Sequence, residues 1–220
     1  MTQRPMFATV VLDVDSTLCG IEGIDWLATR RTPEIARLVA AETNRAMRGE
    51  KLLEEVYGER LALVCPSAKD VLSLSLAYSA TLAPGAAASI EKWRSAGIDT
   101  FVITSGIRQA VLPVAHELGV PEAMVHGVEV YFDADGSYRG FDETSPLTTA
   151  TGKRDILMRL APAKPILAAG DGITDVAMRS TADSFAAFTG FVARPAVMAQ
   201  ADFVVSSFGQ LDEIVLGAMR

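Results

Sequence analysis

Cysteine and histidine are scarce in this chain. The two cysteines, Cys19 and Cys65, have no metal-ligand spacing and are too few for a disulfide framework, which predicts a protein of the reducing cytoplasm. The two histidines, His116 and His126, do not lie at predicted strand ends that face the site, so we interpret them as helix-surface or loop residues. The residues that carry the function are therefore sought among other side chains.

Basic residues and long apolar runs are also few. Twenty Lys and Arg face 27 Asp and Glu, and the net charge of −7 argues against a surface for nucleic acid or an anionic membrane. A small phosphorylated substrate stays possible, because a pocket can be locally positive. The uncharged stretch 71–90 is diluted by hydroxyl residues and broken by Pro84-Gly85, which predicts buried helices rather than a membrane span. No apolar segment precedes a cleavage site, so no signal peptide is expected.

The stretch Phe7 to Leu18, which reads FATVVLDVDSTL, organises the rest of the chain. Its apolar, β-branched first half predicts a buried strand that ends near Asp13, and Asp15 follows. Two carboxylates at the end of a buried strand are unfavourable unless something positive lies between them. The pair therefore predicts a metal ion, or a substrate phosphate with its metal.

A long helical segment follows this strand. Glu34 to Arg48, Leu52 to Val64 and a segment that begins at Pro66-Ser67 show helical periodicity, and the region 21–80 contains no convincing strand. We expect an all-helical cap at 21–80, inserted into a core domain that comprises 1–20 and 81–220.

Strands and helices alternate after Pro84-Gly85. Predicted strands include Thr100 to Ile103 and Pro165 to Ala169, and Val128 to Phe132 with Tyr138 to Phe141 predicts a β-hairpin. This pattern predicts an α/β, Rossmann-like parallel sheet with helices on both faces. The active site of such a sheet lies beyond the carboxyl ends of its strands. Four places qualify: Asp13-Asp15, Thr104-Ser105-Gly106, the region of Lys153, and Gly170-Asp171-Gly172.

The loop Gly170 to Asp175 strengthens the case for a metal site. Its glycines permit a tight turn after an apolar strand, and Asp171 follows that strand as Asp13 follows the first. Asp13, Asp15 and Asp171 together would supply hard oxygen ligands for Mg²⁺. Lys153 is the candidate cation that compensates their charge.

These motifs resemble those of the haloacid dehalogenase (HAD) superfamily phosphatases, and the resemblance extends across nearly the whole chain. The family's four motifs correspond here to Asp13-Val14-Asp15-Ser16-Thr17, to Thr104 at a strand end, to Lys153, and to Gly170 through Asp175. Features outside these motifs are similar to the phosphoserine phosphatase subfamily. The resemblance implies substrate-binding roles for Glu22, Met47, Gly49, Arg60, Thr174 and Arg194.

The resemblance also implies a mechanism with two phosphoryl-transfer steps. Asp13 would form an aspartyl phosphate, and Asp15 would protonate the leaving serine oxygen and then activate water. Mg²⁺ would be held by Asp13, by Asp171 and by the backbone carbonyl of Asp15, with Asp175 orienting Lys153 or a metal-bound water. The residues implied to bind the phosphoryl oxygens are Thr104, Ser105, Gly106 and Lys153.

One departure from the subfamily bears on the substrate. The subfamily reads Ser-Gly-Gly-Phe where this chain reads Thr104-Ser105-Gly106-Ile107, which places a side chain where the backbone approaches phosphate. The main hypothesis is hydrolysis of O-phosphoserine in serine biosynthesis. Two different hypotheses stay open. One is a related phosphatase or phosphotransferase for another small phosphorylated metabolite. The second is a phospho-accepting signalling domain, although such domains are shorter and lack a helical insert. The sequence leaves the oligomeric state open.

Overall fold

The computed structural model describes residues 5–217, and the side chain of Met47 lies outside the described part. The strands are β1 (Thr9–Leu12), β2 (Asp99–Ile107), β3 (Val125–Val128), β4 (Val130–Phe132), β5 (Tyr138–Phe141), β6 (Ile166–Gly170), β7 (Ser184–Phe188) and β8 (Phe203–Val205). The helices are α1 (Gly23–Thr29), α2 (Pro33–Met47), α3 (Leu53–Val64), α4 (Ala68–Ala80), α5 (Ala86–Ser95), α6 (Arg108–Glu117), α7 (Gly152–Leu160), α8 (Ile173–Val176), α9 (Pro195–Met198) and α10 (Phe208–Val215).

Six strands form one parallel sheet in the order β3-β2-β1-β6-β7-β8. All four residues of the central strand β1 are buried, as expected for an apolar strand that is covered on both faces. Helices flank the sheet, so the predicted α/β, Rossmann-like architecture is confirmed. The predicted hairpin is also present, as the antiparallel pair β4-β5.

Strand β2 is longer than the sequence predicts. The prediction ended it at Ile103, with Thr104-Ser105-Gly106 after it, but the strand continues to Ile107. Its pairing with β3 shifts in register between Ile103 and Ile107, so Thr104 to Gly106 form an irregular stretch inside the strand. Such an irregularity frees backbone groups from the regular ladder, and side chains bind two of them here. Ser105 O accepts a hydrogen bond from the Tyr57 hydroxyl group, and Gly106 N donates to Thr104 Oγ1.

Helices α1 to α4 form an insert between β1 and β2. The two ends of this insert are joined by backbone hydrogen bonds from Gly20 N to Thr81 O and from Ala83 N to Leu18 O, both at 2.8 Å. Helix α4 also packs against α6. The segment between Gly20 and Thr81 therefore begins and ends at one place, next to the end of β1.

The insert helices begin where the sequence contains capping residues. The Thr32 hydroxyl accepts a hydrogen bond from Ile35 N at 3.3 Å, directly before Pro33. Ser67 and Asp70 form a capping box at the start of α4. Helix α1 is a short additional helix within the region predicted to be helical.

Within residues 5–217 no single helix has the length and hydropathy needed to span a membrane. Helices α3 and α4 pass that test only as a pair, and a bend of 111° separates them.

Candidate active site

The candidate site lies where β1, β2 and β6 meet at one edge of the sheet. These strands are parallel neighbours, so their carboxyl ends lie together. Asp13 follows β1, Thr104 lies in the last part of β2, and Asp171 follows β6. A small pocket at this edge is lined by Asp13, Asp15, Glu22, Thr104, Ser105, Gly106, Lys153, Asp171 and Thr174.

Lys153 lies between two carboxylates at the base of this pocket. Its Nζ is 2.6 Å from Asp13 Oδ1 and 2.5 Å from Asp175 Oδ1, and all three side chains are buried. Burial opposes the charge of Lys153, but Asp13 and Asp175 outweigh that effect and raise the pKa of its ammonium group. The structure thus holds a positive charge beside the candidate nucleophile.

Asp175 is fixed by the backbone of the Gly170–Asp175 loop. Its Oδ2 accepts a hydrogen bond from Gly172 N at 2.9 Å. A Cβ at Gly170 would overlap this carboxyl group, so the glycine provides the space that Asp175 fills. Burial and then the charge of Asp13 raise the pKa of Asp175 to about 7, although Lys153 acts in the opposite direction.

Asp13, Asp171 and Asp175 form a buried carboxylate cluster. One oxygen from each residue lies within 4.8 Å of the others. Burial, followed by the charges of Glu22, Asp175 and Asp13, raises the pKa of Asp171 well above its usual range. Clustered hard oxygens of this kind suit a divalent cation such as Mg²⁺, whose charge would relieve their mutual repulsion. The carboxylate of Asp15 does not belong to this cluster.

The carboxyl group of Asp15 is bound by a tyrosine that the sequence analysis did not single out. The hydroxyl group of Tyr78, near the end of α4, donates a hydrogen bond to Asp15 Oδ1 at 2.6 Å. Burial and the charges of Glu22 and Asp13 raise the pKa of Asp15 well above its usual range. A raised pKa suits a carboxyl group that must carry a proton to the reaction.

Glu22 and Arg194 connect the insert to the carboxylate cluster. Glu22 Oε1 accepts a hydrogen bond from Ser16 Oγ at 2.8 Å and lies 3.4 Å from Arg194 Nη2. Arg194 Nε also donates to Asp171 Oδ2 at 2.9 Å. Ser16 adopts a left-handed backbone with φ of 54°, which is uncommon for a residue other than glycine and occurs often at functional sites. Arg194 therefore contacts a predicted metal ligand as well as Glu22.

Arg60 lies deeper in the insert and does not line the small pocket. Its Nη1 donates to Thr43 Oγ1 at 2.7 Å, and the Thr43 hydroxyl donates in turn to Asp25 Oδ1 at 2.5 Å. The guanidinium group also lies over the ring of Tyr57, 5.7 Å from its centroid. Arg60 Nε is buried and has no hydrogen-bond partner among the described residues, so one donor of the fork is unused.

The remaining predicted site residues fall in different places. Gly49 ends α2 with φ of +73°, and a Cβ there would be 3.5 Å from Ile173, so the insert reaches the Gly170–Asp175 loop. Thr174 is buried and lines the pocket. Met47 is the last residue of α2, and its side chain is outside the described part.

Ser105, where the chain departs from the subfamily, is contacted by the insert through its backbone. The hydroxyl group of Tyr57 donates to the carbonyl oxygen of Ser105 at 2.8 Å, while Gly106 N donates to Thr104 Oγ1 at 2.9 Å. Ser105 Oγ is a buried hydroxyl oxygen without a partner among the described residues, and Ser105 lines the pocket. The Ser105 hydroxyl group therefore adds a hydrogen-bond donor at a position where the phosphoserine phosphatase subfamily has glycine.

Several residues that support the site were not predicted from the sequence. Some of them lie in or near a motif that could have indicated them, and others do not. Ser16 is part of the first motif, and Asp25 lies one turn after Glu22, so both could have been considered. Tyr57, Tyr78 and Thr43 belong to no motif. Their contacts depend on how the insert helices pack.

Comparisons with known proteins show the family to which the chain belongs. Residues 7–183 match the family model described as haloacid dehalogenase-like hydrolase. The chain is 35% identical to the chloroplastic phosphoserine phosphatase of Arabidopsis thaliana over 207 residues, which are 92% of this chain and 70% of that protein. It is 35% identical to the phosphoserine phosphatase of Rattus norvegicus over 211 residues, which are 93% of each chain.

A solved structure confirms the fold. A phospho-aspartyl intermediate analogue of phosphoserine phosphatase superposes with a TM-score of 0.78 at 23% identity, over 94% of this chain and 98% of that one.

Proposed function

We propose that this chain, which belongs to the haloacid dehalogenase-like hydrolases, is a magnesium-dependent phosphatase that converts O-phosphoserine to serine and phosphate. The observation that carries the proposal is the position of Lys153, which lies between Asp13 and Asp175 at the base of a pocket that Asp15 and Asp171 also line. A buried nucleophile, a proton donor and a fixed cation are the groups that phosphoryl transfer needs.

Asp13 and Asp15 carry out the bond-breaking steps. A carboxylate oxygen of Asp13 attacks phosphorus, and the bond from phosphorus to the serine oxygen breaks while Asp15 transfers a proton to that oxygen. Asp15 then accepts a proton from the water that hydrolyses the aspartyl phosphate. Each carboxyl group is thereby restored at the end of the cycle.

The remaining residues of the pocket hold the phosphoryl group. In this proposal Lys153, the Thr104 hydroxyl group and the backbone N–H groups near Ser105-Gly106 bind its oxygens, over which the negative charge spreads in the transition state. The Gly106 N–H group would exchange its hydrogen bond to Thr104 Oγ1 for one to the phosphoryl group. Mg²⁺ would be held by Asp13, Asp171 and the backbone carbonyl of Asp15, with Asp175 beside them in the carboxylate cluster, and would neutralise charge on the phosphoryl oxygens. Asp175 orients Lys153 through the contact between their side chains.

Glu22 and Arg60 give the proposed selectivity for an amino acid. A carboxylate is recognised well by the planar guanidinium fork, and Glu22 supplies the charge for an ammonium group. Arg60 is held by Thr43 with Nε unused, while Glu22 lines the pocket. Met47, Gly49, Thr174 and Arg194 complete the proposed substrate contacts.

Residues 21–80 act as a cap domain on a core that comprises 1–20 and 81–220. The insert contacts the core close to the site through Tyr57 and Ser105, and through Glu54 Oε2, which accepts a hydrogen bond from Ala150 N at 2.9 Å. These contacts hold the insert beside the pocket, where a cap that covers the substrate would exclude water and strengthen the electrostatic interactions.

The reaction belongs to serine biosynthesis in the cytoplasm and involves neither nucleic acid nor membrane. The buried Cys19 and the exposed Cys65 are both free thiols, which suits a reducing compartment. The net charge of −7 disfavours binding to nucleic acid or to anionic lipid.

A substrate panel tests the proposal. The full chain is assayed with Mg²⁺ on O-phosphoserine, O-phosphothreonine, glycerol phosphate and 4-nitrophenyl phosphate. We expect kcat/KM for phosphoserine to exceed that for the other alkyl phosphates by at least about tenfold. A lack of preference for phosphoserine would reject the substrate assignment and favour another small phosphomonoester, which the side chain of Ser105 gives reason to consider.

Two further measurements distinguish a phosphatase from a phosphotransferase and from a signalling domain. A phosphotransferase would release serine in excess of phosphate when an acceptor alcohol is present, and a signalling domain would form phosphoprotein without turnover. Asp13→Asn should abolish turnover. The control is Asp183→Asn, because Asp183 is exposed and binds Ile166 N at 2.8 Å at the start of β6, far along the sheet from the site. Activity of Asp13→Asn equal to that of the control would refute the assigned nucleophile.

A further inference from the structure

Tyr78 makes a contact that no sequence motif explains. Its side chain is fully buried, and Asp15 is the side-chain partner of its hydroxyl group in the described part of the chain. We propose that Tyr78 is a positioning residue that occupies Asp15 Oδ1, so that Oδ2 is the oxygen that exchanges the proton with substrate and water. The proposal rests on the proposed function, in which Asp15 is the general acid and base.

Two glycines lie beside the Tyr78 hydroxyl group, and one of them leaves the space that this group fills. A Cβ at Gly23, the first residue of α1, would overlap the hydroxyl oxygen. A Cβ at Gly106 would lie 3.4 Å from the same oxygen and 3.8 Å from Asp15 Oδ2. The hydroxyl group is therefore enclosed by three segments of the chain, and a side chain at Gly23 would push it away from Asp15.

The backbone that carries Tyr78 is held against the core. Helix α4 packs on α6, and the next residue, Ser79, donates from Oγ to Glu117 Oε2 at 3.0 Å. The chain then rejoins the core through the hydrogen bond from Gly20 N to Thr81 O. Tyr78 is thus fixed relative to β1, which allows its hydroxyl group to hold one orientation of the Asp15 carboxyl group.

Fixing that orientation matters for both proton transfers. In the first step the proton on Asp15 Oδ2 goes to the serine oxygen as the bond from phosphorus to that oxygen breaks and the bond to Asp13 forms. In the second step Oδ2 takes the proton from the attacking water, and the bond from phosphorus to Asp13 breaks. A carboxyl group that could rotate would present the wrong oxygen, and errors of about 1 Å in such groups can cost roughly a hundredfold in rate.

Tyr78→Phe removes the hydroxyl group and keeps the ring, and two leaving groups reveal its effect. The serine oxygen needs a proton in order to leave, whereas 4-nitrophenolate leaves as a stable anion. For an enzyme with a phosphorylated intermediate, kcat/KM reports the steps up to phosphorylation of Asp13, so hydrolysis of the intermediate does not enter. We expect kcat/KM for phosphoserine to fall by roughly 10- to 100-fold and that for 4-nitrophenyl phosphate by less than about threefold.

Tyr57→Phe is the matched control. It removes another buried tyrosine hydroxyl group of the insert, one that binds the Ser105 carbonyl oxygen and not Asp15. Whatever activity Tyr57→Phe loses, it should lose about equally on the two substrates. An equal loss on both substrates for Tyr78→Phe, or no loss on phosphoserine, would overturn the positioning role.

Gly23→Ala provides a second variant that displaces the hydroxyl group without removing it. Like Tyr78→Phe, it should lower kcat/KM for phosphoserine more than that for 4-nitrophenyl phosphate. When both changes are combined, Gly23→Ala should lower kcat/KM for phosphoserine little further. Full additivity of the two losses would contradict a common action through Asp15. A thermal-unfolding scan of each variant verifies that the chain is folded during the assay.

The wild-type chain distinguishes failure of the inference from failure of the proposed function. If it hydrolyses other alkyl phosphates but not phosphoserine, the substrate assignment is wrong, and the best alkyl phosphate replaces phosphoserine in the comparison. If it hydrolyses no alkyl phosphate, both the proposed function and the role of Tyr78 are rejected.

Discussion

Arg60 Nη1 donates a hydrogen bond to the hydroxyl oxygen of Thr43 at 2.7 Å, inside the helical insert. The arginine is only 5% exposed, so its guanidinium group is held in place and largely removed from water. The same hydroxyl group donates to Asp25, which gives the arginine an indirect link to a carboxylate. Thr43 thus stands between Arg60 and Asp25, which leaves the remaining donors of Arg60 for the substrate carboxylate that we propose it binds.

Thr43→Val should therefore weaken substrate binding without damaging the chemistry. The variant keeps the shape of the side chain but removes the hydroxyl group, so Arg60 is free to turn towards Asp25. We expect KM for phosphoserine to rise about tenfold, the effect of one charge-assisted hydrogen bond, with kcat changed by less than about threefold. KM for 4-nitrophenyl phosphate, which has no amino-acid part, should stay close to its wild-type value.

Thr29→Val is the control for this change. Thr29 is an exposed residue of α1, and its hydroxyl group donates a hydrogen bond to the Trp26 carbonyl oxygen. Steady-state kinetics of both variants on both substrates show whether Thr43 orients Arg60. A rise in KM that is equal for the two substrates would show that Thr43 supports the fold rather than the orientation of Arg60.

Lys153→Met should remove activity and stability together. The variant leaves Asp13 and Asp175 buried without the cation that lies between them. Loss of one partner from a buried ion pair costs about 3–5 kcal/mol, because the remaining charge is uncompensated. Urea unfolding in the presence of a chelator measures this loss, and a phosphoserine assay measures the activity.

A second substitution separates the two effects of Lys153. In Lys153→Met with Asp175→Asn, one of the two uncompensated carboxylates becomes neutral. The double variant should recover part of the unfolding free energy but none of the activity. If the double variant is no more stable than Lys153→Met alone, charge compensation is not the structural role of this lysine.

The parts of the site that follow from the order of strands were predictable from sequence. Asp13 and Asp171 each end an apolar run, and the alternation of strands and helices implies that such ends meet at one edge of a parallel sheet. The lysine of α7 also follows from its place in the motif order. The two aspartates need only local patterns and one topological rule, whereas the lysine needs the family resemblance as well.

The contacts made by the insert could not be predicted in this way. Tyr57 binds Ser105, which is 48 positions away, and Tyr78 binds Asp15, which is 63 positions away. No periodic pattern in the sequence connects residues at such separations. Both contacts depend on how the insert helices pack onto the core, which sequence patterns do not specify. The length of β2 was missed for a related reason, since the strand extends past Ile103 only because Ile107 pairs with Val128 of β3 after an irregular stretch.

Gly152→Ala should destabilise the chain strongly. A Cβ at this first residue of α7 would overlap the carbonyl oxygen of Pro146 and lie 2.8 Å from Leu147 N, and backbone atoms cannot move aside cheaply. We expect the free energy of unfolding to fall by more than about 2 kcal/mol, as for overpacking in a close-packed interior. Activity should fall too, because Lys153 is the next residue.

Gly209→Ala is the matched control for that steric argument. Gly209 lies in the first turn of α10, is exposed, and a Cβ there would meet only Ser207 Oγ at 3.8 Å. The same substitution should raise the free energy of unfolding by about 0.5–1 kcal/mol, because alanine favours the helix over glycine. Denaturant unfolding of both variants tests the contrast, and similar effects at the two positions would contradict it.

Asp70→Asn should lower stability in a manner that depends on pH. Burial tends to raise the pKa of Asp70, but hydrogen bonds from Arg31 and Ser67 outweigh it and lower the pKa to about 2. A depressed pKa means that the carboxylate stabilises the fold above its unfolded pKa of about 4, and that this contribution is lost as the pH falls towards 2. Because the side chain is 20% exposed and its partners are partly solvated, we expect a difference of about 1 kcal/mol at neutral pH.

Urea unfolding from neutral pH down to about pH 3 measures how the difference in the free energy of unfolding between wild type and Asp70→Asn changes with pH. The difference should be constant at neutral pH and should shrink as the wild-type carboxylate becomes protonated. Arg31→Met serves as the second variant, since removal of this cation raises the pKa of Asp70 and moves the loss of stability to higher pH. A difference that stays the same at every pH would show that Asp70 acts through the geometry of the helix cap and not through its charge.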